Sequence, residues 1–210
     1  MTLPPDRSAV GTEARRDATR NLHNASIAEC VNLINDADRE VAQAVAAASP
    51  AIVALLEDAA PRFTSGGRLV YLGAGTSGRL GVLDASEAPP TFQVEPGRIV
   101  GIIAGGDRAL RVSSEGMEDD PDGAAPELDG LELTDRDTVL GIAAGGTTPY
   151  VLGALRHCKS MASPPLTAML SCSPIETPAG CDHLIVADTG PEVLTGSTRM
   201  KAGTATKMVL

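Results

Sequence analysis

A glycine-rich segment with two hydroxyl side chains follows the first strongly apolar run of the chain. Gly73, Gly75 and Gly78 fit the pattern G-x-G-x-x-G, and Thr76 and Ser77 stand where a helix is expected to begin. Backbone N–H groups at a helix N-terminus, together with hydroxyl donors, suit a terminal phosphate dianion. The segment therefore predicts a phosphate site of the kind that binds a sugar phosphate. A plain strand-to-helix turn with a capping hydroxyl is the alternative interpretation.

Two common nucleotide-binding motifs contain further residues that do not accompany this glycine-rich segment. A dinucleotide site needs an acidic residue at the end of the second strand, about 20 residues further on. Glu95 comes before the second apolar run, and Asp107 comes after the glycine turn that ends it. No lysine closes the segment as in a P-loop. The pattern therefore favours a small phosphorylated ligand over a nucleotide.

Two glutamates are candidates for acid and base chemistry. Glu87 follows the helix that is predicted after the glycine-rich segment. Pro89 and Pro90 are expected to fix the direction in which the chain leaves that helix. Glu118 lies about 30 residues later, roughly one strand–helix unit, so neighbouring units are expected to bring both carboxylates to one edge. Two carboxyl groups with different pKa values can serve as acid and base at neutral pH. Solvated surface glutamates are the alternative.

Neither a metal site nor a disulfide framework is predicted. No histidine has a partner at metal-ligand spacing, and the cysteines form no C-x-x-C pair. We interpret the cysteines as reduced thiols of a cytosolic protein. The residues concerned are His23, His157, His183, Cys30, Cys158, Cys172 and Cys181.

Short apolar runs alternate with helical stretches through most of the chain, which predicts an α/β fold. The runs are continuously apolar, as expected of strands buried on both faces, so we predict a parallel sheet of about five strands flanked by helices. Most of them end in Gly, Ser or Thr, which favours a ligand site at the carboxyl edge of the sheet. The predicted strands are residues 69–72, 99–103, 138–142, 166–170 and 184–187.

The sequence predicts helices near both ends of the chain. Residues 1–11 are expected to form a loose tail, and residues 25–63 a helical lead-in in which Asp36 caps a second helix and Pro50 opens a third. At the other end, residues 197–210 predict a helix capped by Ser197. That helix ends on three apolar residues with no stop signal, so we expect this chain to associate or aggregate and to turn over slowly.

Length and charge exclude several classes of protein. The 210 residues include 17 Lys and Arg against 27 Asp and Glu, a net charge of −10. The lack of a basic cluster argues against a nucleic-acid partner. No run approaches the roughly 18 consecutive apolar residues of a membrane span, and the first residues have no apolar signal core. A cytoplasmic protein without a membrane partner is therefore expected.

Several long motifs resemble one known family. Residues 73–81, 84–87, 115–119, 148–151 and 190–204, with the lead-in residues 34–38, are similar to the N-acetylmuramic acid 6-phosphate etherases. The resemblance runs from about Thr12 to Leu210 and implies a sugar isomerase (SIS) domain. It predicts a tail and helical lead-in over residues 1–58 and a SIS domain over residues 59–210. Family members continue with a further helical portion, so the domain is expected to be shortened at its C-terminal end.

The resemblance also implies a reaction. The family cleaves the D-lactyl ether of N-acetylmuramic acid 6-phosphate by elimination and water addition, without a metal or cofactor, in amino-sugar catabolism and cell-wall recycling. Glu87 matches the family's acid, and Glu118 matches its second catalytic glutamate, taken here as the base. A homodimer with sites at the subunit interface is implied. The implied substrate-binding residues are Gly75, Thr76, Ser77, Gly78, Arg79, Gly146, Thr148 and Lys201.

Departures from the family pattern keep other functions open. Gly145 and Thr147 stand where the family usually has Ser and Arg, so a hydroxyl and a guanidinium are missing from a loop expected to face the phosphate. Ala88 and Met117, in place of the usual Cys and Ala, are minor changes. One alternative is a non-catalytic sugar-phosphate sensor, as in the related glucokinase regulatory proteins. The other is an aldose–ketose sugar-phosphate isomerase.

Overall fold

A five-stranded parallel sheet forms the centre of the fold. The computed structural model describes residues 10–114 and 116–210; residues 1–9, most of the predicted tail, and Glu115, in one of the family motifs, lie outside the described part. The strand order is β2-β1-β3-β4-β5, and every pairing is parallel. The strand predictions are confirmed to within one residue at each end. The strands are β1 (Leu69–Gly73), β2 (Ile99–Ile103), β3 (Thr138–Ile142), β4 (Leu166–Ser171) and β5 (His183–Val186).

Helices cover both faces of the sheet and so create two apolar clusters. The helices are α1 (Ile27–Thr64), α2 (Gly75–Phe92), α3 (Ala125–Gly130), α4 (Pro149–Ser160) and α5 (Lys201–Val209). In β3, Leu140 belongs to the cluster with Val41 of α1 and Ala202 of α5. Its neighbour Val139 belongs to the opposite cluster, with Leu155 of α4. Burial on both faces explains why the strands are continuously apolar in sequence.

The lead-in is one unbroken helix, so the predicted helix starts at Asp36 and Pro50 are wrong. Ser26 caps α1 in a reciprocal capping box with Glu29, and the helix then runs for 38 residues. The Asp36 carboxylate lies 2.6 Å from Arg39 instead of capping a helix. Pro50 is accommodated inside α1 because apolar contacts on both sides of it hold the helix against the fold. The predicted boundary between residues 58 and 59 falls within α1, and the division into two regions stays a prediction.

Helix α1 is long and apolar enough to cross a membrane by length and composition alone. Its most apolar stretch has a mean hydropathy of 1.4 and is only 17% buried. The helix nevertheless packs against α5 and β5. Its first turns expose Ile27, Val31 and Ile34 at helical spacing. These three side chains form an apolar stripe on the surface of α1.

Helix α5 begins at Lys201 and not at Ser197, which corrects the predicted start. The buried carboxylate of Glu192 accepts hydrogen bonds from the backbone N–H groups of Lys201 and Ala202, each at 3.0 Å. These two N–H groups would otherwise be unpaired at the start of the helix. At the far end Met208 is 51% exposed, whereas Val209 and Leu210 are partly buried and pack against the core.

We expect Glu192→Ala to lower the free energy of unfolding by about 1–3 kcal/mol, because it leaves two buried helix N–H groups without an acceptor. Urea denaturation followed by circular dichroism measures the change. Glu57 is exposed on α1, and Glu57→Ala is the control, with an expected change within about 0.5 kcal/mol. Equal stability of the Glu192 variant and the unmodified protein would contradict the capping role.

Candidate active site

A cavity of about 250 Å³ opens at the carboxyl edge of the sheet, where the sequence predicts a ligand site. Its walls come from the β1–α2 turn, the β3–α4 loop, Glu118, the N-terminal segment (residues 10–16) and the segment before α5. Five hydroxyl side chains and two carboxylates face it. The lining residues are Val10, Glu13, Ala74, Gly75, Thr76, Ser77, Glu118, Ala144, Gly145, Thr147, Thr148, Gly196 and Thr198.

The start of α2 supplies one wall of this cavity. Gly75 has φ +52, a conformation that favours glycine, and no side chain caps the first turn of the helix. The free N–H groups of that turn and the hydroxyls of Thr76 and Ser77 therefore suit an anion. Gly78 has a different role from the predicted ligand contact. A Cβ atom there would lie 2.6 Å from the Gly73 carbonyl oxygen, so Gly78 lets α2 approach β1 closely and does not line the cavity.

The β3–α4 loop supplies a second helix N-terminus. Thr148 precedes Pro149 at the start of α4, makes no capping hydrogen bond and lines the cavity. Gly146 does not line the cavity. It has φ +75, and a Cβ atom there would lie 2.7 Å from Ile175, so this position requires glycine for the turn. Pro149 has no N–H group and the Val151 N–H bonds the Thr148 carbonyl oxygen, so the start of α4 adds the Thr148 hydroxyl to the donors at the start of α2.

A second cavity of about 380 Å³ adjoins the first and shares Glu118 with it. Arg79 lines this second cavity and not the first. Among the residues that the structure describes around the two cavities, Arg79 is the one cationic side chain. The full lining is Ala74, Gly75, Arg79, Ala104, Ala109, Ser113, Ser114, Gly116, Glu118 and Asp119.

The structure does not bring Glu87 and Glu118 together within one chain. Glu118 lies on the short 3₁₀ turn Met117–Asp119, half-buried between the two cavities. Glu87 is exposed on α2, and Pro89 and Pro90 lie inside that helix and do not end it before Glu87. Twelve residues separate Glu87 from Gly75, a rise of about 18 Å along the helix, and Glu87 lines neither cavity. Within one chain Glu118 thus lines both cavities and Glu87 lines neither, and the joint catalytic role of the two carboxylates stays a prediction.

Lys201 is buried in an ionic network and lines neither cavity, so its role as a substrate ligand stays a prediction. Its Nζ lies 2.5 Å from the Thr189 carbonyl oxygen and 3.2 Å from Glu40 Oε2. Arg16 donates to both oxygens of Glu40, at 2.6 and 3.0 Å. The Arg16 hydrogen bond, helped by Lys201, lowers the pKa of Glu40 to about 2. Lys201 thus joins the N-terminal segment, α1 and α5.

Within residues 10–114 and 116–210, no group of three or more His, Cys, Asp or Glu side chains could hold a metal ion. Two of the histidines pair with carboxylates instead. His157 lies 2.7 Å from Asp129 and His183 lies 2.8 Å from Asp58. The predicted absence of a metal or cofactor stays a prediction.

Sequence reasoning missed the N-terminal contribution to the site. Val10 and Glu13 line the first cavity, although they precede α1 and lie more than 60 residues before the glycine-rich segment. No periodicity or motif in residues 10–16 indicates this contact. Thr198 also lines the cavity, and here a signal existed, because the resemblance covers residues 190–204.

Comparison with known proteins identifies the class. Residues 50–159 match the family model of the glucokinase regulatory protein N-terminal SIS domain. The fold is similar to that of a phosphoheptose isomerase from Francisella tularensis, with a TM-score of 0.57 and 18% identity over 86% of this chain and 94% of that chain. The parallel sheet, together with the family match over residues 50–159, defines a SIS-domain protein.

Sequence relatives narrow the class to a family. The chain is 48% identical to N-acetylmuramic acid 6-phosphate etherase of Caldanaerobacter subterraneus over 200 residues, 95% of this chain and 65% of that one. It is 48% identical to the etherase of Lactococcus lactis over 206 residues, 98% and 69% of the two chains. The chain belongs to the N-acetylmuramic acid 6-phosphate etherase family, and it spans about two thirds of the length of these curated relatives.

Proposed function

We propose that the protein cleaves the D-lactyl ether of N-acetylmuramic acid 6-phosphate, giving N-acetylglucosamine 6-phosphate and D-lactate. The observation that carries the proposal is Glu118, which stands beside a cavity built for an anion in a chain 48% identical to named etherases. The reaction belongs to amino-sugar catabolism and peptidoglycan recycling in the cytoplasm. Family membership and the position of Glu118 support this assignment together.

The phosphate binds in the first cavity. The N-terminal turn of α2, which no side chain caps, lies at this cavity, and Thr76, Ser77 and Thr148 add hydroxyl donors. These neutral donors hold a dianion without a cation, which matters in a chain of net charge −10. The sugar then extends from the phosphate toward Glu118.

Glu118 acts as the base at C2 of the open-chain sugar, whose aldehyde makes the C2 proton acidic. Glu118 takes this proton, the C2–C3 double bond forms, and the C3–oxygen bond breaks. The departing lactate oxygen receives a proton from the acid. Water then adds a hydroxyl to C3 and a proton to C2, which completes N-acetylglucosamine 6-phosphate.

Arg79 binds the lactyl carboxylate in the second cavity. The substrate carries an anion at each end, and Glu118 lies between the two cavities. With the phosphate in the first cavity, the lactyl group extends into the second, where the guanidinium of Arg79 can pair with its carboxylate. The serines Ser113 and Ser114 offer further donors there.

Glu87 serves as the acid in the site of a second copy of the chain. On α2, Leu83 is 47% exposed one helical turn before the exposed Glu87, so an apolar patch accompanies the carboxylate. The exposed stripe of α1 is a second apolar surface that a partner would cover. A homodimer that buries these surfaces carries Glu87 to the partner's cavity. This arrangement reconciles the predicted role of Glu87 with its distance from the cavity in its own chain.

A non-catalytic sugar-phosphate sensor is the second candidate, and the β3–α4 loop favours it. Gly145 and Thr147 line the first cavity where the family pattern has Ser and Arg, so the site has fewer donors than that pattern provides. A sensor would bind N-acetylglucosamine 6-phosphate and release no lactate. An isomerase, the third candidate, would instead convert a sugar phosphate into its ketose. Product analysis after incubation with N-acetylmuramic acid 6-phosphate separates the three.

We expect Gly145→Ser combined with Thr147→Arg to tighten binding of N-acetylglucosamine 6-phosphate roughly 10- to 100-fold, through a charge-assisted hydrogen bond in a partly dry site. Calorimetry measures the change. A Cβ atom at Gly145 would lie 3.2 Å from Val10, so Gly145→Ser alone serves as the control for the cost of displacing that side chain. Unchanged or weaker binding by the double variant would remove this loop from the phosphate site.

A further inference from the structure

The N-terminal segment, residues 10–16, reaches the carboxyl edge of the sheet and forms part of the first cavity. Thr12 is fully buried, and its backbone N–H donates to Ser173 Oγ at 3.0 Å. The Ser173 hydroxyl in turn donates to Thr12 Oγ1 at 3.3 Å. These contacts fix the segment beside the end of β4, 161 residues away in sequence.

A second anchor lies three residues beyond Glu13. Arg16 holds Glu40 of α1 through two hydrogen bonds, and Glu40 contacts the buried Lys201. Glu13 therefore stands between a buried anchor at Thr12 and an ionic anchor at Arg16. Its backbone is held firmly enough to keep its side chain at the cavity.

The carboxylate of Glu13 faces the cavity and is free to bind a ligand. Over residues 10–114 and 116–210, Glu13 has no hydrogen-bond or ion-pair partner. Gly196 makes room for it: a Cβ atom at that glycine would lie 3.1 Å from Glu13 Oε2, and its φ of +73 also favours glycine. An unpaired carboxylate beside the hydroxyl side chains of this cavity, which Glu118 also lines, calls for a donor from the ligand.

We propose that Glu13 accepts hydrogen bonds from the hydroxyl or amide N–H groups of the sugar, and so selects a sugar phosphate over phosphate alone. The inference rests on the proposed sugar-phosphate substrate class. A carboxylate repels a phosphate dianion, so Glu13 belongs to the sugar end of the ligand and not to its phosphate end. The N-terminal segment thereby completes a specificity-determining part of the site.

Calorimetry with two probes, N-acetylglucosamine 6-phosphate and inorganic phosphate, tests this role. We expect Glu13→Gln to weaken sugar-phosphate binding roughly 10- to 100-fold while inorganic phosphate binds as before or more tightly, because a negative charge is lost. Glu13→Asp keeps the charge but shortens the side chain, and is expected to weaken only the sugar phosphate. Glu57→Gln, an exposed site on α1, makes the same charge change and should alter neither affinity.

Three results would overturn the proposal: equal affinities in Glu13→Gln and the unmodified protein, loss of both affinities together, or weaker binding of inorganic phosphate alone. Thermal melting of each variant shows whether a joint loss comes from unfolding. Binding without release of D-lactate would contradict the proposed etherase and leave the role of Glu13 standing. No binding of the sugar phosphate by the unmodified protein would overturn both.

Discussion

Replacing Glu118 with Gln is expected to slow D-lactate release about 10²- to 10⁴-fold, the usual contribution of a positioned base. The amide has nearly the same shape as the carboxylate but cannot take the C2 proton. Glu118 is half-buried between the two cavities, so its neighbours should keep their positions. Enzymatic assay of D-lactate measures the rate, and calorimetry with N-acetylglucosamine 6-phosphate shows that binding survives.

Exchange of the C2 proton with solvent deuterium gives a second test of the base assignment. Glu118→Gln should lose this exchange, since no carboxylate removes the proton. Glu95→Gln, a change at an exposed position between α2 and β2, is the matched control and should keep both exchange and lactate release. Wild-type turnover in Glu118→Gln would refute the role of Glu118.

We expect Glu87→Gln to lose most lactate release while retaining C2 proton exchange, because Glu87 protonates only the departing oxygen. Co-expression of this variant with Glu118→Gln, as differently tagged chains, should restore roughly a quarter of the unmodified activity when the chains pair at random. Each mixed dimer then holds one complete site, with Glu118 from one chain and Glu87 from the other. Purified mixed dimers should show about half of the unmodified activity.

Recovery of lactate release in the co-expressed variants distinguishes a site shared between two chains from a site within one chain. If one chain supplied both carboxylates, every site in the mixture would lack one of them and activity would stay near that of the single variants. Light scattering on the same samples measures the oligomeric state. A monomer with full activity, or an active Glu87→Gln variant, would contradict the contribution of Glu87 to a second copy.

The sheet could be predicted from sequence because its strands leave a strong signal. Burial on both faces makes each strand a continuous apolar run, and glycine or hydroxyl residues mark where the strands end. The phosphate cavity follows from the same pattern, since the carboxyl ends of parallel strands share an edge. Gly75, Thr76, Ser77 and Thr148 line this cavity, and their contact with a substrate stays a prediction.

The remaining site assignments depended on contacts that leave no local pattern. Pro50 reads as a helix start, yet packing along α1 overrides this local preference. Lys201 lies within the family motif of residues 190–204, but its ammonium group donates to Glu40 and to the Thr189 carbonyl oxygen. Glu13 reaches the cavity through an anchor 161 residues away in sequence, a distance at which residue spacing carries no information. The proposed role of Glu87 needs a second chain, and no single-chain pattern describes such a contact.

The most direct test of the whole account is product analysis after incubation of the protein with N-acetylmuramic acid 6-phosphate. We predict D-lactate and N-acetylglucosamine 6-phosphate in equal amounts, with one solvent oxygen incorporated at C3 when the reaction is run in ¹⁸O-water. Tight binding of the sugar phosphate without lactate, or formation of a ketose in its place, would contradict the assignment of this chain as an etherase.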